Sequence, residues 1–215
     1  MRITGGEWRS RRLKGPGRNT RIRPTPDALR ERVFAVLGDQ IVGARLLDLY
    51  AGTGAVGFEA LSRGATEVVF VERHRPAVEL IRTNSRALGA DDRIRIIHRA
   101  AARSVAQVAT GGQIFDIAWS DPPFENWKDG LEVLVSAFRL AVISPSGAAC
   151  FECPEHADVA GALPDEIEIV RDLAGGASRV VLLKRGWRLG ARSPARPPTG
   201  TRNKEPETPP TTRIA

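Results

Sequence analysis

Leu46-Leu47-Asp48-Leu49-Tyr50-Ala51-Gly52-Thr53-Gly54-Ala55-Val56-Gly57 is the stretch that decides the fold of this chain. Its apolar start reads as a short buried strand, residues 45–51. The glycines end that strand, and residues 56–64 read as a helix stopped by Gly64. Gly52, Gly54 and Gly57 match G-x-G-x-x-G between strand and helix, a spacing that lets the backbone approach a nucleotide-like ligand. Glu72 stands 72 − 52 = 20 residues after Gly52, at the end of the next strand, where a carboxylate can accept both hydroxyls of a ribose.

Asp48 arbitrates between cofactors. A carboxylate at the tip of the first strand repels a pyrophosphate, whereas a cofactor with an ammonium, a sulfonium, a ribose diol and no phosphate suits it. The pattern favours S-adenosylmethionine over NAD. Tyr50 and Arg73, beside Asp48 and Glu72 on the same two strand tips, join the candidate cofactor set.

The alternation continues outward from this stretch. Strands are expected at 67–72, 93–98, 115–121, 147–153, 165–173 and 178–185. Helices are expected at 75–89, 100–109 and 129–142. An earlier helix starts at Thr25-Pro26-Asp27, with Thr25 as its N-cap, and ends at Gly38. Alternating strands and helices predict an α/β, Rossmann-like sheet of seven strands covered on both faces, its last hairpin antiparallel. The boundaries expected are a basic hairpin and loop at 1–24, a catalytic body at 25–189 and a disordered tail at 190–215, where six of the fifteen prolines fall.

The fourth strand runs into Asp121-Pro122-Pro123-Phe124. Ligands of open α/β sheets bind beyond the carboxyl ends of the strands, so this tetrad and the glycine loop open on one rim. Two prolines stiffen the loop. Asp121 can accept an N–H, Pro122 offers a carbonyl, and Phe124 offers a flat face. Together they can hold a planar group bearing an exocyclic amine. The lone pair of such an amine is delocalised, so orientation is the main help a protein can give it. A nucleobase would have to be unstacked to reach the tetrad.

Charge is unevenly spread. Residues 1–32 carry ten Lys/Arg and three Asp/Glu, 10 − 3 = +7; residues 188–215 carry six and two, 6 − 2 = +4; residues 33–187 carry sixteen and twenty, 16 − 20 = −4. A mildly acidic body with basic extensions suits a polyanion partner. Arg9, Arg11, Arg12, Lys14, Arg18, Arg21 and Arg23 are the candidate contacts to such a partner, with Trp8 among them, which reads equally as a packing residue or as a flat face for a base. No apolar run reaches the ~20 residues of a membrane helix, and the first residues do not read as a signal peptide, so a cytoplasmic location without membrane contact is expected. Cys150 and Cys153 lie in a strand pattern that points their thiols to opposite faces, and the three histidines lack ligand spacing; no metal is expected.

Asp-Pro-Pro-Phe is one form of the [DNS]-P-P-[FYW] motif of amino-directed nucleic-acid methyltransferases. Together with RITGGEWRSRRLK at 2–14, RPTPDALRERVF at 23–34, LLDLYAGTGAVGFEALSRGA at 46–65 and FVE at 70–72, it resembles the bacterial 16S rRNA guanine-N2 methyltransferases. The resemblance covers about residues 2–185. It implies a class I methyltransferase fold and methylation of a guanine exocyclic amine in small-subunit ribosomal RNA, within the small subunit or its assembly intermediate. It also implies S-adenosylmethionine contacts by Asp48, Gly52, Gly54 and Glu72, with Asp121, Pro122, Pro123 and Phe124 around the base. Where the family carries Asn or Asp, this chain has Ala100, which leaves backbone groups near Ala101 for the adenine. Alternatives on the same chemistry are an adenine N6 or a protein glutamine. An NAD-dependent oxidoreductase and a non-catalytic RNA-binding factor stand further off.

Overall fold

The computed structural model describes residues 1–17 and 25–186. Arg18, Arg21 and Arg23, and the tail at 190–215, lie outside the described residues. The body alternates: α1 (Asp27–Leu37), β1 (Arg45–Leu49), α2 (Ala55–Ser62), β2 (Glu67–Glu72), α3 (Arg75–Leu88), β3 (Ile94–His98), α4 (Ala101–Thr110), β4 (Phe115–Ser120), α5 (Trp127–Arg139), β5 (Ile143–Pro154), α6 (Val159–Ala162), β6 (Ile167–Ala174) and β7 (Ser178–Arg185). Seven strands form one sheet in the order β3-β2-β1-β4-β5-β7-β6. β7 alone runs antiparallel, between β5 and β6.

Residues alternate between the faces of the sheet. Leu46, Ile117, Trp119 and Cys150 pack on one face with α1 and α2; Leu47, Leu49, Ala118, Phe151 and Cys153 pack on the other with α4 and α5. Cys150 and Cys153 are therefore on opposite faces, both buried and unbridged. α3 buries Ala77, Val78, Ile81, Ser85 and Leu88, the spacing of one helical face. Gly89 ends it in the left-handed region, φ 69°.

The N-terminal arm, residues 1–17, closes through one bridge pair, Arg2 with Arg12, rather than through two strands. It is part of the core: Ile3, Trp8 and Leu13 are 1%, 5% and 6% exposed. Glu59 of α2, wholly buried, staples it. Its carboxylate accepts the amides of Thr4 and Gly5 and the Thr4 hydroxyl, each at 2.8 Å, and pairs with Arg30 at 3.2 Å and Arg63 at 2.8 Å.

Two expectations need correction. Thr25 is not a helix cap: Pro26 takes that position without a side-chain bond, and the Thr25 hydroxyl donates to Glu152 at 2.6 Å. β5 begins at Ile143, four residues before the expected start. The Ser-Pro-Ser-Gly run at 144–147 reads as a turn in sequence, but the ladder to β4 absorbs it as a register shift between Phe115 and Ile117.

Candidate functional site

The site is built at the carboxyl tips of β1, β2, β4 and β5. β1 leaves the sheet through Tyr50, a non-glycine residue held at φ 63°, and the chain then turns through Gly52 and Gly54 into α2. Gly54, at φ 79°, is the residue before α2, and a Cβ there would sit 2.7 Å from the Phe58 ring. Gly57 is needed for closeness: a Cβ would come within 2.2 Å of Phe70, so only glycine lets α2 rest on β2.

The loop is held by the two candidate cofactor carboxylates. Glu72 accepts the amides of Gly52 and His74, both at 2.8 Å, so each oxygen of its carboxylate is fixed. Asp48 accepts the Gly57 amide at 3.2 Å and is 2% exposed. Burial pushes Asp48 up to about 8, against the Gly57 amide and with a further push from the charge of Glu72.

β4 pairs with β1 so that Trp119 is level with Asp48 and Ser120 with Leu49. Asp121 therefore follows at the height of Tyr50, and the two expected halves of the site share one rim. Tyr50, Arg73, Pro122, Pro123, Asn126 and Asp129 line a cavity of about 110 Å³ there, open to solvent and below the ~300–1,000 Å³ of an enclosed ligand pocket. Tyr50 and Arg73 come from the candidate cofactor set, Pro122 and Pro123 from the tetrad. Asp48, Glu72, Asp121 and Phe124 do not line this cavity. Burial also raises the proton affinity of Asp121 well above the usual carboxylate range, with the charges of Glu152 and Asp48 adding to it. Burial raises the Tyr50 phenol, and Asp129 adds to that.

Several residues were not legible as members of the site. Asn126 and Asp129 join it only because the turn after the tetrad folds back into α5. Gly130 supports Pro122: a Cβ there would lie 2.3 Å from the Pro122 ring. Its one sequence signal is a glycine inside a helix, which costs about 1 kcal/mol and asks for a packing reason. Glu152 is a carboxylate in an otherwise apolar strand, a signal the sequence does carry.

The candidate RNA contacts divide. Arg9, Arg11, Arg12 and Lys14 are exposed. Arg11 donates to the Ala87 carbonyl, and the Lys14 backbone exchanges hydrogen bonds with the Asn84 amide side chain. Trp8 is corrected to a core residue. Its ring lies under the Arg93 guanidinium at 4.9 Å and its amide donates to Ser62, so it offers no open face to a base. Ala101, expected to meet the adenine through its backbone, puts its methyl into the core, and α4 begins without a side-chain cap at Ala100.

A doubly covered sheet in this strand order, with the glycine loop and the proline tetrad on one rim, is the class I methyltransferase fold. The chain belongs to the family described as Conserved hypothetical protein 95, whose model matches residues 1–184. Its relatives include the ribosomal RNA small subunit methyltransferase D of Escherichia coli strain K12, 39% identical over 124 residues, 58% of this chain and 60% of that protein. YlbH of Bacillus subtilis strain 168 is 28% identical over 187 residues, 86% of this chain and 100% of that protein. The solved structure of yhhF from Escherichia coli superposes with a TM-score of 0.70 at 31% identity, covering 86% of this chain and 97% of that one. No helix among the described residues is long and apolar enough to cross a membrane.

Proposed function

We propose that this chain transfers a methyl group from S-adenosylmethionine to the exocyclic N2 amine of a guanine in small-subunit (16S) ribosomal RNA. The observation that carries the reading is the common rim. Asp48 lies on β1 two residues below the level at which the Asp121–Phe124 tetrad leaves the adjacent strand, and Tyr50, Pro122 and Pro123 line one cavity. The name of the Escherichia coli relative supports ribosomal RNA as the substrate class. Guanine N2 is the target that the resemblance of residues 2–14, 23–34 and 46–65 implies.

The donor set fits this cofactor by its chemistry. Asp48 and Glu72 are two carboxylates beside a glycine loop, suited to an ammonium group and a ribose diol and hostile to phosphate. S-adenosylmethionine supplies, when bound, a methyl group made electrophilic by a positive sulfur. Burial favours the protonated Asp48 in the free protein, and a cation held beside it would favour the charged carboxylate. Gly52 and Gly54 keep the backbone near, and Tyr50 and Arg73 border the cavity.

Toward the base, the chain's task is orientation. Asp121 and the Pro122 carbonyl accept the amine hydrogens, the paired prolines hold them still, and Phe124 stacks on the unstacked ring. Arg9, Arg11, Arg12 and Lys14 grip phosphates without reading sequence. The small ribosomal subunit or its assembly intermediate is the proposed partner.

Mass-spectrometric mapping of 16S RNA from cells lacking the chain tests this. One N2-methylguanosine should be missing, restored by the wild type and not by Asp121→Ala. An unchanged methylation map, or full restoration by the Asp121 variant, refutes the reading.

A further inference from the structure

Glu152 occupies a position in β5 that packing alone would fill with an apolar side chain. It is 4% exposed, and its carboxylate accepts two neutral hydroxyls, Thr25 at 2.6 Å and Ser178 at 2.9 Å. Among the described residues no Lys or Arg pairs with it. A buried carboxylate without a cation is costly to keep charged, and sites that bear such a cost are candidates for function.

Its neighbour gives it a task. In the β4–β5 ladder Ser120 pairs with Phe151, so Asp121 and Glu152 are the next pair along, on the face that also carries Asp48. Three carboxylates thus end three adjacent strands on one side of the sheet. From the other elements packed there, Arg30 of α1 is engaged by Glu59, Asp27 and the Thr25 carbonyl. Arg179 of β7 is level with Cys153, whose side chain belongs to the opposite face, and is engaged by Asp172 and the Ala157 carbonyl. Nothing cationic among the described residues separates the charges of Asp121 and Glu152.

We propose that Glu152 is a positioning residue that holds one proton in common with Asp121, and so sets the pH at which Asp121 is free to accept the target amine. The inference rests on the assignment of Asp121 as that acceptor. Two like charges on neighbouring positions, Glu152 buried and Asp121 half-buried, do not ionise together; the first proton leaves easily and the second is retained. Thr25 and Ser178 hold the Glu152 carboxylate in place by its oxygens, which favours the proton residing on Asp121.

Carboxyl infrared titration of the ligand-free protein reads this without turnover. The wild type should show a carboxyl group ionising well above the usual range. Glu152→Gln should lower the Asp121 midpoint by about one to two pH units. Asp121→Asn should lower the Glu152 midpoint by a similar amount, since the coupling is mutual, and this variant carries the test if Glu152→Gln does not fold. The acidic limb of the kcat profile should move with the infrared midpoint in Glu152→Gln. A merely structural role would lower Tm and leave both where they were. Midpoints that stay unmoved in folded variants overturn the proposal. Shifted midpoints in the variants of a protein whose wild type leaves 16S RNA unmethylated would support the shared proton and sink the functional reading instead.

Discussion

Replacing Asp48 with Asn should make the ligand-free protein more stable, and more so as pH rises. The Asp48 carboxyl titrates near 3.8 when unfolded and at about 8 when folded. Below the lower value both states hold the proton and the group is neutral in its effect. Above it the unfolded chain loses the proton and the folded chain does not, so the wild type loses stability steadily until the pH passes the folded value. Each unit of that interval is worth about 1.4 kcal/mol. From about pH 5 to about pH 8 the penalty therefore grows by about 4 kcal/mol. Asn keeps an oxygen for the Gly57 amide but buries an amide whose hydrogens need partners, at about 1–3 kcal/mol. That second cost does not depend on pH, so it cancels when the two pH values are compared. Urea denaturation of wild type and Asp48→Asn at both pH values measures the difference directly. The variant's advantage should widen by about 4 kcal/mol toward the higher pH, roughly 8–16 °C in Tm for a body of this size. Calorimetry should show the same variant binding S-adenosylmethionine at least tenfold more weakly, about 1.4 kcal/mol. An advantage that does not grow with pH would refute the reasoning, because it would mean that the buried carboxylate is already ionised in the free protein.

Gly57→Ala should cost about 1–3 kcal/mol by driving a methyl into the Phe70 ring, seen as a fall of several degrees in Tm. Glu59→Gln should cost about 3 kcal/mol by leaving the buried Arg30 with only the more exposed Asp27 as its charge partner. Limited proteolysis should then cut the arm first, and an arm as resistant as the wild type's would count against the staple. Changing Arg9, Arg11 and Arg12 together to Ala should flatten the salt dependence of RNA affinity by about one unit of slope per arginine that contacts phosphate. An unchanged slope removes the arm from the RNA surface. Trp8→Ala should instead appear as a stability loss of about 3–5 kcal/mol.

Much of this was legible in the sequence because it rests on local signals. The glycine loop, the Glu72 spacing and the proline tetrad announce strand tips, and strand tips in an alternating chain share a rim. The ends of the elements were less legible where a side chain is recruited from afar. Thr25 reads as a cap because capping is the local use of threonine, yet Glu152, 127 residues away, takes its hydroxyl. Trp8 sits among arginines, and in sequence it reads equally as a packing residue or as a base stacker. Its burial depends on α2 and on Arg93, which no nearby residue betrays. Asn126 and Asp129 enter the cavity through a turn whose path the sequence does not state.

The placement of β7 has a bearing on synthesis. β6 pairs with β7 and with no other strand in the sheet, and β7 is the last strand of the described chain. While the chain grows from a ribosome, β6 emerges with nothing to zip onto, and the flank of β5 stays bare until residues 178–185 are out of the tunnel. Closure is therefore a late, single event, and a chain terminated before Ser178 would present two unsatisfied strand edges, the species most prone to stick to its own kind.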